Sequence, residues 1–248
     1  MENLGLEACA NSFASALAAE NGGAIRVELC ENMSEGGTTP SYAQIKLCKE
    51  RLNIQIWPII RPRGGDFLYS DDEFELMKED IKICKILNCD GVVTGILLAN
   101  GEVDKNRCAE LIELAHPMPI AFHRAFDMSN DLEKALEDLI DLGFVRVLSS
   151  GGKENALKGI ETLAKLVNQA NGRIEIMPGA GINSENILEI KEKTGATVFH
   201  SSARVKIASK MEYRNQISKM SYEGDEYLYE QTSSNLVNQM VEKLKANS

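Results

Sequence analysis

The sequence predicts an α/β protein, a single-domain (β/α)8 TIM barrel, on three observations. Eight short apolar runs alternate with helix-patterned stretches, no hairpin signal joins consecutive runs, and most runs end in polar or charged residues. Strands that succeed one another through helices pair in parallel, because each parallel pairing needs a crossover. Eight such units in 248 residues fit the barrel in both count and length.

The predicted strands are Leu4–Cys9, Ile25–Cys30, Ile54–Ile60, Gly91–Gly95, Pro119–Phe122, Val145–Leu148, Ile174–Met177 and Thr197–Phe199. Helix punctuation keeps their register. Thr39 reads as an N-cap and Pro40 as a first helical residue, where the missing N–H costs nothing. That helix runs through Cys48 to about Arg51. Ser70 precedes Asp71-Asp72-Glu73, acidic residues that suit the dipole of a helix start. Asn88 and Gly143 stand at helix ends just before new strands. Residues 1–248 read as one domain, with 205–234 a long C-terminal loop and 235–246 a final helix. Tyr213, Tyr222, Tyr227 and Tyr229 concentrate in that loop, which packs on another subunit or folds back over its own barrel.

Composition narrows the function. A net charge of −10 argues against a general nucleic-acid binder, whose phosphate partner would be repelled. Arginines at strand ends still allow a small electropositive pocket and a small anionic ligand. The first 25 residues lack Lys and Arg, so no secretory signal is expected, and Ala14–Ala19 is too short for a membrane span. Six cysteines without CxxC spacing suggest reduced thiols in a cytoplasm.

Strand alternation places side chains. An outward Glu on the first or second strand would be pressed against apolar helices at a large desolvation cost. Glu7 and Glu28 are therefore expected inside the barrel, and their phase carries Cys9 and Cys30 inward. On the third strand Trp57, Ile59 and Arg61 share a phase, so Arg61 is expected to counter the two carboxylates.

Several long motifs then carry a family resemblance. Arg26-Val27-Glu28-Leu29-Cys30, Ser34 to Ser41, Ile60 to Ser70 and Phe122 to Asp127 occur in order, followed by Pro178 to Ile182 and Phe199 to Arg204. Over roughly residues 4 to 215 the chain resembles the CutC copper homeostasis family. The resemblance implies an oligomeric cytoplasmic barrel, a homo-oligomer such as a dimer or tetramer. It also implies copper as partner, with Cu(I) bound through cysteine thiols.

From the residues themselves, Cys30 and Cys9 are the candidate metal ligands, since Cu(I) favours soft thiolates. Small buried hydrophobes are the alternative reading of both. Gly179, Gly181, Ser201 and Arg204 are the candidate anion site, because barrels often seat phosphate between the loops after strands 7 and 8. Ser149-Ser150-Gly151-Gly152 offers a third loop of that kind. If the chain is an enzyme, Glu7, Glu28, Arg61 and His123 are its expected catalytic residues, with His200 a second rim histidine able to move protons or bind metal. The loop Arg63 to Tyr69 reads either as a lid or as a plug packed by Phe67 and Tyr69. Two functions stay open. One is Cu(I) handling. The other is an enzyme acting on a small phosphorylated or carboxylated metabolite, which uses the strand-end arginines that two thiols leave unexplained.

Overall fold

The computed structural model describes residues 4–215, 217–218 and 225–246. Eight parallel strands appear where apolar runs predict them: β1 Gly5–Ala10, β2 Arg26–Leu29, β3 Gln55–Pro58, β4 Val92–Thr94, β5 Ile120–Phe122, β6 Arg146–Ser149, β7 Glu175–Pro178 and β8 Val198–Ser201. Hydrogen bonds order them β3-β2-β1-β8 and β4-β5-β6-β7. A parallel bridge from Ile59 to Val93 joins the two sets on one side, and β7 packs beside β8 on the other. The chain is a (β/α)8 barrel.

Two layers of apolar packing hold it. Between strands and helices lies one large core, with Leu6, Val27, Ile56, Phe122, Val147 and Phe199 facing outward from the sheet. Inside the barrel, Cys30, Trp57, Ile59, Val93 and Ala121 form a second cluster and Leu148, Met177 and Val198 a third. Strands buried on both faces read as continuous apolar runs, which is why the sequence revealed them.

The connecting helices are α1 Phe13–Asn21, α2 Tyr42–Arg51, α3 Asp71–Ile86, α4 Lys105–Ala115, α5 Leu132–Leu142, α6 Ile160–Ala170 and α7 Ile187–Thr194. Ser70 caps α3 in a reciprocal capping box with Glu73, and Gly143 ends α5 in the left-handed conformation. The start of α2 differs from expectation. Ser41, not Thr39, is its N-cap, accepting from the Gln44 N–H at 3.4 Å. Thr39 instead accepts the Arg61 N–H at 3.0 Å, tying the Gly36-Gly37 turn to the end of β3.

The C-terminal stretch also departs from a plain loop. Strands β9 Arg204–Ala208 and β10 Leu228–Thr232 form an antiparallel arm, followed by α8 Ser234–Ala246. Thr232 anchors the arm: its N–H donates to Ser15 Oγ and its hydroxyl donates to the Ser202 carbonyl, both at 3.1 Å. Tyr213 and Tyr229 are exposed, and the Arg214 guanidinium sits 4.5 Å over the Tyr227 ring. Tyr222 lies outside the described residues.

Candidate functional site at the barrel mouth

The carboxyl ends of the strands surround a cavity of about 600 Å³. On one wall the inward phase of β1, β2 and β8 brings together Glu7, Cys9, Glu28, Cys30 and His200. Cys9 Sγ and Cys30 Sγ are 3.7 Å apart. Cys9 Sγ, a Glu28 carboxylate oxygen and an imidazole nitrogen of His200 all lie within 4.8 Å of one another, the one such trio among the described residues. Gly37 lies against Cys30: its φ is +89°, and a Cβ there would stand 3.3 Å from Cys30 Cβ.

The imidazole of His200 is oriented from behind. Its Nδ1 is 2.9 Å from Glu7 Oε1, while Nε2 faces Glu28 Oε2 at 3.7 Å. A carboxylate holding one ring nitrogen turns the other toward a ligand, the arrangement usual behind metal-binding histidines. Burial by itself would push the His200 imidazole down, but Glu28 and Glu7 outweigh it and raise its pKa. Burial alone would likewise raise Glu7, yet the bond to His200 and the charges of Arg26 and Arg146 hold it well below the carboxylate range. Glu28, poorer in partners, is raised chiefly by burial. Hydrogen bonding to Cys30, then burial, keeps the Cys9 thiol protonated, far above its ordinary value.

The counter-ions of Glu7 are not those the sequence suggests. Arg26 Nε donates to Glu7 Oε2, and Arg146 Nη1 stands 3.6 Å from the same oxygen. Both arginines also meet Glu175 and flank the Trp57 ring, at 5.5 and 4.5 Å from its centroid. Arg61 was expected there and is elsewhere. Its Nη1 donates to the Glu35 and Gly37 carbonyls at 2.7 and 2.8 Å, and its Nη2 to Gly65 O at 2.8 Å. Arg61 therefore ties two rim loops together instead of countering Glu7 and Glu28. The signal for Arg26 was in the chain: it shares the inward phase of Glu28.

His123, from the end of β5, occupies a different wall. Its Nδ1 accepts the Ala125 N–H at 3.1 Å, which puts the ring proton on Nε2. Burial, aided by the nearby Arg61 charge, pushes the imidazole down to about 3, so it stays neutral. Gly95 makes room for it, since any Cβ would meet the ring at 2.6 Å. The loop Arg63 to Tyr69 sits over this wall as a fastened plug. Arg63 gathers Glu73, Asp66 and the Leu68 carbonyl at 2.6, 2.9 and 2.8 Å, and the Phe67 carbonyl accepts the Leu97 N–H at 2.9 Å.

Two donors of the expected phosphate cradle are engaged by the protein itself. The Gly179 N–H donates to Ser149 O at 2.9 Å, and the Ser201 hydroxyl donates to Ile182 O at 2.7 Å. Arg204 pairs with Glu230 and Ser202 at the start of the arm; Gly181, Ser201 and Arg204 all line the cavity, and Gly179 does not. The Ser149 to Gly152 loop does form an anion nest, but the protein fills it. Asp127 accepts from the Ser150 and Gly152 N–H groups at 2.9 Å each, and from Ser149 Oγ at 2.6 Å. No local pattern announces that contact, because the partners are more than 20 residues apart.

Fold and site together define a (β/α)8 barrel protein with a thiol, carboxylate and imidazole cluster at its mouth whose ligand atoms lie close enough to hold a metal ion. The chain belongs to the CutC family, whose model matches residues 4–205. It is 50% identical over 240 residues to a CutC family protein of Chromobacterium violaceum, covering 96% of this chain and 97% of that one. It is also 50% identical over 210 residues to the human copper homeostasis protein cutC homolog, covering 85% and 77%. The crystal structure of the putative copper homeostasis protein CutC from Streptococcus agalactiae superposes with a TM-score of 0.77 at 37% identity, over 80% of this chain and 98% of that one. Thiamine phosphate pyrophosphorylase from Pyrococcus furiosus, at 13% identity and a TM-score of 0.60, shares the fold alone.

Proposed function

We propose that the chain serves copper homeostasis in the cytoplasm by binding Cu(I) at the barrel mouth through Cys9 and Cys30. His200 and Glu28 stand ready as further donors. The observation that carries this reading is the 3.7 Å approach of two inward thiols beside an imidazole already oriented by a carboxylate. Soft thiolates select Cu(I), and the His200 imidazole, whose pKa Glu28 and Glu7 raise, becomes a further donor once it loses its proton. Both sulfurs must lose protons to bind, so apparent affinity rises with pH. The family relation to proteins named for copper homeostasis supports the same reading. All six cysteines are free, and among the described residues no helix is long and apolar enough to cross a membrane. Self-association as a dimer or tetramer is part of the proposal, supported by the exposed Val205, Leu228 and Tyr229 on the arm.

Anaerobic Cu(I) titration tests it. Cys30→Ser and Cys9→Ser are each expected to weaken binding at least tenfold, whereas Cys48→Ser, Cys84→Ser and Cys108→Ser, on buried helix faces, leave it unchanged. Unchanged affinity in Cys30→Ser sinks the thiol reading.

A further inference from the structure

We propose that the β3–β5 wall of the mouth is a second, metal-independent site, which binds the carboxylate of a small organic monoanion between Arg61 and His123. Among the described residues, five buried side-chain atoms lack a hydrogen-bond partner: Glu28 Oε1, Arg61 Nε, Tyr69 Oη, His123 Nε2 and Arg146 Nη1. Three of them, on Glu28, Arg61 and His123, belong to residues that line this one cavity. Buried polar groups are nearly always satisfied, so such a concentration points to a missing partner.

Charge says what kind. Arg61 is 4% exposed and donates to backbone carbonyls; among the described residues no carboxylate lies within ion-pair distance of it, and Asp66 feels its charge only weakly. A buried guanidinium without a counter-ion is costly unless a ligand supplies one. The neighbouring Tyr69 hydroxyl interacts with Arg61 but is neutral and cannot balance its charge. His123, 3% exposed, adds a neutral N–H donor whose direction is fixed by the Ala125 N–H behind it. One uncompensated positive charge and two idle N–H groups match a carboxylate, with one negative charge and two oxygens.

A phosphate dianion fits worse, since Glu28, Glu35 and Asp127 share the cavity. Ile59, Met33, Leu148 and Met128 line the remaining space and suit a short apolar tail. The Phe67 ring now covers both donors, 4.9 Å from the guanidinium carbon and 5.0 Å from the imidazole centroid. Entry of the carboxylate displaces that ring.

The probe is butyrate, added to full-length, reduced, chelator-treated protein, with chloride and phosphate at equal ionic strength as controls. Butyrate is expected to raise the melting temperature more than either control and to shift the His123 Nε2 resonance in a 15N-histidine spectrum. His123→Asn keeps the backbone acceptor but is too short to present the Nε2 donor. It is expected to weaken butyrate binding about tenfold or more, as loss of a hydrogen bond to a charged group does. Arg61→Lys, which keeps a charge but not the Nε–H, should weaken it similarly. If that variant misfolds, His123→Asn and the 15N shift decide alone. Butyrate acting no differently from chloride, or undiminished affinity in His123→Asn, overturns the proposal. Because copper is absent throughout, neither result depends on the thiol site.

Discussion

Two histidines end barrel strands three positions apart around the same mouth, and their surroundings are opposite. His200, on β8, stands between Glu7 and Glu28 in a wall that also holds both inward thiols. His123, on β5, faces Arg61 and Phe67, with no carboxylate within ion-pair distance among the described residues. One wall concentrates negative charge and soft donors; the other concentrates N–H donors and an unbalanced cation. A residue type at a strand end therefore says little until its neighbours across the barrel are known. The difference underlies the two proposals above, a metal cation for one wall and a carboxylate anion for the other.

The largest expected effect breaks the acidic wall from below. Glu7 is the hub on which Arg26, Arg146 and His200 converge in the barrel interior. Removing its charge with Glu7→Gln leaves two buried guanidinium groups sharing Glu175 alone. Loss of one partner from a buried ion pair costs about 3–5 kcal/mol, so urea denaturation should show destabilisation of that order. A loss under about 1 kcal/mol would mean that the network relaxes around the change, and that Glu7 does not fix His200.

Protonation sharpens the same contrast at smaller cost. His200 has a raised pKa, so its contribution to stability is complete below its unfolded value of 6.5 and is lost as pH rises through the folded value. His123 is depressed to about 3, so its contribution is complete above 6.5 and is lost as pH falls from 6.5 toward 3. Imidazole proton NMR is the check. The His200 signal should titrate with a midpoint above 6.5, while that of His123 stays flat down to about pH 4. A shared midpoint near 6.5 would erase the distinction between the walls.

Much of this was readable from the chain. Glu7, Cys9, Glu28 and Cys30 were placed inward by strand phase, because an ionised side chain on the outer face would have no partner. The strands were legible because burial on both faces leaves continuous apolar runs. What escaped depends on contacts between distant residues. Arg26 and Arg146 begin their strands and invite an exterior reading, although Arg26 shares the phase of Glu28. Asp127 fills the nest at Ser149 to Gly152 from more than 20 residues away, and nothing near it signals that role. The arm strands β9 and β10 are exposed over most of their length, so they lack the apolar run that marked the other eight.

The smallest expected effect concerns the rim between the walls, where Arg204 belongs to the arm. Its guanidinium meets Glu230 and Ser202 in a part-exposed setting, and such pairs contribute about 0–1 kcal/mol. Arg204→Ala should therefore unfold within about 1 kcal/mol of the parent. The same variant tests whether the loops after β7 and β8 hold phosphate, as the small residues at Gly179, Gly181 and Ser201 suggested. With the Gly179 N–H committed to Ser149 and the Ser201 hydroxyl to Ile182, phosphate should stabilise the parent no more than chloride at equal ionic strength. Arg204→Ala should respond identically to both salts. A phosphate-specific rise in melting temperature that vanishes in Arg204→Ala would show that those loops rearrange around an anion. The mouth would then carry a third ligand-binding wall, and Arg61 would no longer be the cation that decides where an anion binds.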